Sequence, residues 1–188
     1  MSATPRKRIY LAGPEVFLPD AKAVGRAKVE IAAEFGFEGV FPLDAQVDLS
    51  GKSKPVQAGL IFSACEGLMD TCDFAVANLT PFRGVSMDSG TAYEVGYMRA
   101  RGRRVFGYTN APGDLASRAR AFRERGIPAG DCDRPDCEIE DYDLVENIMI
   151  AIALRESGGD VIQLAADGDM HNFAAYRKCL ELARKQFL

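Results

Sequence analysis

Between residues 72 and 110 the chain reads CDFAVANLTPFRGVSMDSGTAYEVGYMRARGRRVFGYTN, and this stretch constrains the fold more than any other. Residues 74–79 and 103–109 are apolar runs of strand length. Residues 91–101, between them, have helical character. Asp88 and Ser89 are N-cap candidates, Gly102 is a C′ stop, and the basic Arg99 and Arg101 lie in the last turn. Two strands joined through a helix form a right-handed βαβ unit, which requires a parallel sheet.

Glu94 is the odd residue of that helix. Its neighbours are Ala92, Tyr93, Val95, Gly96, Tyr97 and Met98. Apolar side chains all round predict a helix buried on most sides. A carboxylate there is costly unless it is paired or its proton affinity rises. Two readings stay open: Glu94 faces the one wet side or pairs with an arginine, or it is held in a dry cleft as a nucleophile or base. Asp88 lies six positions earlier, roughly 9 Å along a helix axis, so the two carboxylates are expected to line two ends of a sugar-sized pocket. Asp73 opens its strand rather than ending it, and simple topology puts it away from such a cleft.

Composition limits what else the chain does. Its 188 residues suit one domain, with residues 1–7 as a flexible basic tail. A net charge of −4 without a basic tract argues against nucleic acid as a partner. No apolar run approaches the ~20 residues of a membrane span, and the N-terminus has no signal-like apolar segment. The expected location is the cytoplasm. Five cysteines (Cys65, Cys72, Cys132, Cys137 and Cys179) form no CxxC pair, so neither a disulfide framework nor a metal site is expected. The one histidine, His171, sits in a polar segment and reads as a surface or capping residue. Chemistry therefore falls to carboxylates rather than to a Ser-His or Cys-His pair.

Strands and helices alternate along the chain. Strands are expected at residues 8–12, 39–43, 74–79, 103–109 and 160–164. Helices are expected at 21–35, 57–71, 91–101, 115–125, 144–156 and 171–187, with a loop at 126–143. This is the pattern of an α/β fold: a doubly wound, mostly parallel five-stranded sheet with helices on both faces, flavodoxin-like or Rossmann-like. Ligands bind such sheets at the C-terminal strand ends, here the Gly/Pro/Asp-rich loops GPEVFLPD, PLDAQVDLSGK and LTPFRGVSMDSG. None is GxGxxG or a Walker loop, so no nucleotide cofactor is expected.

The segments RIYLAGPEVFLPDA, PLDAQ, CDFAVANLTPFRG, MDSGTAYEVGYMRA and DYDLVENIMI together resemble the nucleoside 2-deoxyribosyltransferase family, over roughly residues 8–150. The DxGTAxExG element after a PFRG loop is the most specific part. The resemblance implies transfer of 2-deoxyribose between nucleobases by double displacement, with no cofactor. Glu94 would be the nucleophile and form a glycosyl-enzyme intermediate, as in retaining glycosidases. Tyr10 would hold the rotamer of Glu94, and Asp73 would handle the proton on the departing base. Asp88 would bind a sugar hydroxyl and Gln46 would face the base. Gly13 and Phe17 complete the substrate-binding set in the loop after the first strand. Asn147, with Met149 close by, would reach a neighbouring subunit's sugar site, which implies a homodimer or a higher homo-oligomer.

Read without the resemblance, Tyr10 is a core aromatic, Gln46 a loop residue, Phe17 a packing residue and Asn147 a helix cap. Arg83 either pairs with a carboxylate or touches substrate. The chain ends Lys185-Gln186-Phe187-Leu188, where the lactobacillal members end in a site-forming tyrosine, and its 126–143 loop is longer than theirs. Two other functions compete. One is hydrolysis of deoxynucleosides or their 5′-phosphates, against which the acidic, serine-free GPEVFLPD loop argues. The other is a non-catalytic nucleotide-binding module.

Overall fold

In the computed structural model, which describes residues 5–126, 133, 136–164 and 167–188, five strands form one sheet. They are β1 (Arg8–Ala12), β2 (Glu38–Val40), β3 (Phe74–Asn78), β4 (Arg104–Thr109) and β5 (Val161–Gln163). All neighbours pair in parallel, in the order β2-β1-β3-β4-β5. The expected α/β doubly wound architecture is present. Most of the 1–7 tail and part of the 126–143 loop, including Cys132, lie outside the described residues.

The helices are α1 (Ala21–Glu34), α2 (Lys54–Asp70), α3 (Ser89–Ala100), α4 (Leu115–Glu124), α5 (Ile148–Glu156) and α6 (Ala174–Phe187). The period-2 alternation of the strands sorts them onto two faces. Ile9, Leu11, Phe74, Val76, Phe106 and Tyr108 point to one side, where they meet Ile31 and Ala32 of α1 and Tyr176, Leu180 and Ala183 of α6. Tyr10, Ala12, Ala75, Ala77 and Val105 point to the other, against Met69 of α2, Val95 and Met98 of α3, and Leu154 of α5. Both faces are covered, so β3 is buried at every position and is apolar from Phe74 to Ala77, with the buried polar Asn78 at its C-terminal end. Gly107 in β4 lets α5 approach: a Cβ there would lie 2.4 Å from a Leu154 methyl.

Several boundaries differ from expectation for local reasons. β2 stops at Val40 because Pro42 starts a 3-10 turn, Pro42–Asp44. α2 begins three residues early, with Pro55 in its first turn. α5 begins at Ile148 rather than at 144, because the Asn147 side chain caps it by accepting from the Met149 N–H. The preceding Leu144 and Glu146 are buried, and the Glu146 carboxylate accepts from the Met87 N–H at 3.0 Å and the Ser86 hydroxyl at 2.5 Å. α6 begins at Ala174, whose N–H donates to Asn172 Oδ1.

The expectation that α3 is buried on most sides is corrected. Only Thr91, Val95 and Met98 are buried, while Tyr93 and Gly96 face solvent. α2 is more open still, with Met69 its only buried residue. Among the described residues no helix is long and apolar enough to cross a membrane.

Candidate active site

Tyr10 sits in the middle of β1 with its side chain on the α2/α3/α5 face. One turn into α3, Glu94 points back at the sheet. The Tyr10 hydroxyl donates to Glu94 Oε1 at 2.5 Å. Burial lifts the Glu94 carboxyl to about 7, with the Tyr10 hydrogen bond working against that rise and the charge of Asp88 adding to it. Burial and the adjacent Glu94 charge hold the Tyr10 hydroxyl protonated, far above its ordinary value. The pair therefore has a fixed donor, and an acceptor whose charge is balanced near neutrality.

Asp88 caps α3. The Thr91 N–H donates to Asp88 Oδ2 at 3.0 Å, so the helix start fixes this carboxylate. Cys65 of α2 also reaches the Tyr10 hydroxyl; burial first, and then the Glu94 charge, push its thiol up. A cavity of about 170 Å³ adjoins it, lined also by Leu43, Ala45, Val47 and Leu49. Gln46 belongs to that loop and is exposed.

Phe17 is 52% exposed and stacks on Phe82 with ring centroids 5.4 Å apart. The Arg83 guanidinium lies over both rings, at 4.9 and 4.6 Å. Arg83 holds a left-handed backbone at φ 59 and has no carboxylate partner among the described residues. Asn147 Oδ1 caps α5, and its Nδ2 donates to Glu140 at 2.8 Å. Met149 beside it is 75% exposed. Asn147 itself is half-buried and lines a cavity with Arg83, Val85 and Ser86.

Asp73 is not brought to this group. It precedes β3 at the N-terminal end of the sheet, where Lys7 Nζ lies 2.7 Å from Oδ1 and the Arg8 N–H donates to Oδ2 at 2.8 Å. Partial burial alone would raise its carboxyl, but Lys7 and the Arg8 N–H outweigh that and lower it. The topological expectation holds for Asp73, and the proton role implied by the resemblance finds no geometry here.

The structure adds a buried charge pair that the sequence reading passed over. Glu15, in the 3-10 turn Pro14–Phe17 after β1, and Lys28 of α1 are both fully buried and lie 2.7 Å apart. A signal was available: Lys28 occupies the inward stripe of α1 with Val24, Ile31 and Ala32, where a lysine has to be paired. Cys65 gave no comparable signal, since a cysteine in an apolar helix is ordinary.

The model of the family described as nucleoside 2-deoxyribosyltransferase matches residues 9–149. The chain is a member of the nucleoside 2-deoxyribosyltransferase family. The matched span contains Tyr10, Asp88, Glu94, Asn147 and Met149. An uncharacterized protein, C191.05c, of Schizosaccharomyces pombe is 32% identical over 169 residues, covering 81% of this chain and 79% of that protein. The fold is shared with a solved 2-desoxiribosyltransferase from Leishmania mexicana, at 22% identity and a TM-score of 0.60 over 93% of this chain and 97% of that one. It is shared equally with a conserved protein from Enterococcus faecalis V583, at 20% identity and a TM-score of 0.59 over 98% and 100%. Membership of this family makes the chain a glycosyl-handling enzyme, and the family's substrates are small nucleosides and bases.

Proposed function

We propose that the chain transfers 2-deoxyribose from one nucleobase to another, with Glu94 as the nucleophile. The observation that carries this reading is the 2.5 Å hydrogen bond from Tyr10 to a carboxylate whose burial places its titration near neutrality. Glu94 attacks the anomeric carbon, the C–N bond breaks, and its electron pair leaves with the base. The departing base takes up a proton from solvent; the glycosyl ester is then opened by a ring nitrogen of a second base, which gives its N–H proton to solvent as the Glu94 carboxylate is restored. Tyr10 holds the attacking oxygen's partner in place, and Asp88, anchored at the start of α3, takes a sugar hydroxyl. Gly13, Phe17 and Gln46 border the substrate. No cofactor enters this chemistry. Asp73 is left out of it, because its carboxylate is engaged by Lys7 and Arg8.

We further infer self-association through the exposed face of α2, α3 and α5. Val56, Ile61 and Phe62 on α2, Tyr93 on α3, and Met149 and Ile152 on α5 are large apolar side chains left in solvent. The Phe62 and Tyr93 rings are 5.7 Å apart, so the two helices present one continuous patch. Met149 belongs to this patch and Asn147 caps the same helix, in keeping with a role toward a second copy. A cytoplasmic deoxynucleoside salvage step fits such an enzyme.

The test is a product assay with 2′-deoxyinosine, with and without adenine. New 2′-deoxyadenosine that depends on adenine and forms faster than free sugar is the expected result. Hypoxanthine release at a rate indifferent to adenine would mean that water takes the second step and that the chain is a hydrolase. No turnover with this or other deoxynucleosides would point to a binding role.

A further inference from the structure

We propose that Glu15 is a specificity-determining residue, whose Oε2 accepts a hydrogen bond from a sugar hydroxyl of the bound deoxynucleoside and so excludes substrates carrying a phosphate on that hydroxyl. The proposal rests on the deoxyribosyl reading above and assigns a determinant within the same site.

Its starting point is an asymmetry in a fully buried carboxylate. Three donors converge on Oε1: Lys28 Nζ at 2.7 Å, Asn78 Nδ2 at 3.0 Å and the Tyr108 hydroxyl at 3.0 Å. Oε2 is buried and has no hydrogen-bond partner among the described residues. A buried oxygen without a donor forfeits its hydration for nothing. An ion pair serving stability alone would satisfy both oxygens, or would be replaced by apolar side chains.

The position of Oε2 gives this asymmetry a use. It lies over the α-carbon of Gly13, where a Cβ would sit 1.9 Å from it and 3.0 Å from the Asn78 Cβ. Gly13 follows β1 and Asn78 ends β3. In the order β2-β1-β3-β4-β5 these two strands flank the point where the strand order reverses, and ligands of doubly wound sheets enter at the C-terminal strand ends there. The charges of Glu15 and Lys28 also reach Glu94, in opposite senses, so the pair lies within the electrostatic neighbourhood of the nucleophile. Oε2 is closed off from solvent, and binding entails a shift of the four-residue turn Pro14–Phe17 that carries it.

The chemistry selects the ligand group. A carboxylate oxygen only accepts, so it needs an O–H or N–H. A phosphate ester presents acceptors only and is repelled. Lys28 cannot offset that repulsion: its ammonium is committed to Oε1 and packed 5.6 and 5.2 Å from the Tyr108 and Tyr176 rings.

The experiment measures binding by calorimetry to the Glu94→Gln chain, in which turnover does not intervene. The probes are a 2′-deoxynucleoside, its 2′,5′- and 2′,3′-dideoxy analogues, and its 5′- and 3′-monophosphates. The expected result is that one dideoxy analogue binds at least about tenfold more weakly, since a buried polar group is left unpaired, and that the phosphate on that same hydroxyl binds more weakly still. Glu15→Gln places an amide N–H where Oε2 was, because the three donors hold the amide oxygen at Oε1, and the penalty against the phosphate should shrink about tenfold. A Glu15→Met, Lys28→Met double variant removes both charges at similar volume and should erase the preference for the hydroxyl. Dideoxy analogues that both bind like the parent would overturn the proposal, as would a preference unchanged in these variants. The analogue series on the native pair decides the matter even if neither variant folds. If no nucleoside binds at all, the deoxyribosyl reading itself fails.

Discussion

The Tyr10 hydroxyl and Glu94 Oε1 are separated by 84 positions in the chain and by 2.5 Å in space. The contact joins the middle of β1 to the middle of α3, two elements the sheet brings together only because β1 and β3 are neighbours. It fixes the Glu94 rotamer and holds the carboxyl below the proton affinity that burial alone would impose.

Removing that hydroxyl should therefore change the pH profile as well as the rate. In the native chain kcat/KM should rise with pH through an inflection near 7, because Glu94, as the proposed nucleophile, would attack only when ionised. Tyr10→Phe deletes an influence that lowers the Glu94 pKa, so the inflection should move to higher pH. A hydrogen bond to a charged group is worth about 1.5–3 kcal/mol, which predicts a loss of roughly ten- to hundredfold at neutral pH. A Tyr10→Phe profile with an unmoved inflection would sink this assignment.

Glu94→Gln should abolish transfer while leaving the protein folded and more stable in alkali. The folded-state pKa of Glu94, about 7, stands above the ordinary glutamate value of 4.5. Its protonated form therefore favours the fold, and that contribution is lost as pH rises through about 7. Gln has no such loss. The stability difference between variant and native chain should grow from near zero at about pH 3.5 to an upper bound of about 3 kcal/mol at pH 9. Denaturant melts across that range measure it; a constant difference would contradict the buried setting of the carboxyl.

Asp73→Asn separates the geometry from the family resemblance. Asp73 pairs with Lys7 and the Arg8 N–H away from Glu94, so turnover should stay within about twofold of native while stability drops by about 1 kcal/mol. A loss of several orders of magnitude in kcat, with an unchanged melt, would restore it to the proton-transfer role.

The patch on α2, α3 and α5 predicts a concentration-dependent assembly. Phe62→Asp places a charge beside Tyr93 at its centre, and sedimentation velocity should show a shift toward monomer with far-ultraviolet dichroism unchanged. If the native chain sediments as a monomer at all concentrations, the patch has another purpose.

Much of this architecture was legible in the chain. The apolar run of β3 from Phe74 to Ala77 and the Asp88 cap and Gly102 stop around α3 are local signals, and each element forms where its signal lies. Glu94 stood out because an acidic residue among apolar neighbours has to be accounted for electrostatically. The exposed face of α3 is not legible in the sequence, because periodicity records which residues are apolar and not whether another element covers them. Tyr93 and Tyr97 instead meet Glu66 and Asp70 of α2 at the surface.

The sequence by itself determined the element order and the Asp88 cap of α3, which depend on residues a few positions apart, and it implied a parallel sheet because strands alternate with helices. Only the tertiary structure decided which carboxylates act together. It set Glu94 against Tyr10, left Asp73 with Lys7 at the other end of the sheet, and buried Glu15 with Lys28. Those pairings span 84, 66 and 13 positions. They follow from strand order and from the side of the strand on which each side chain emerges, and no short-range pattern in the chain encodes strand order.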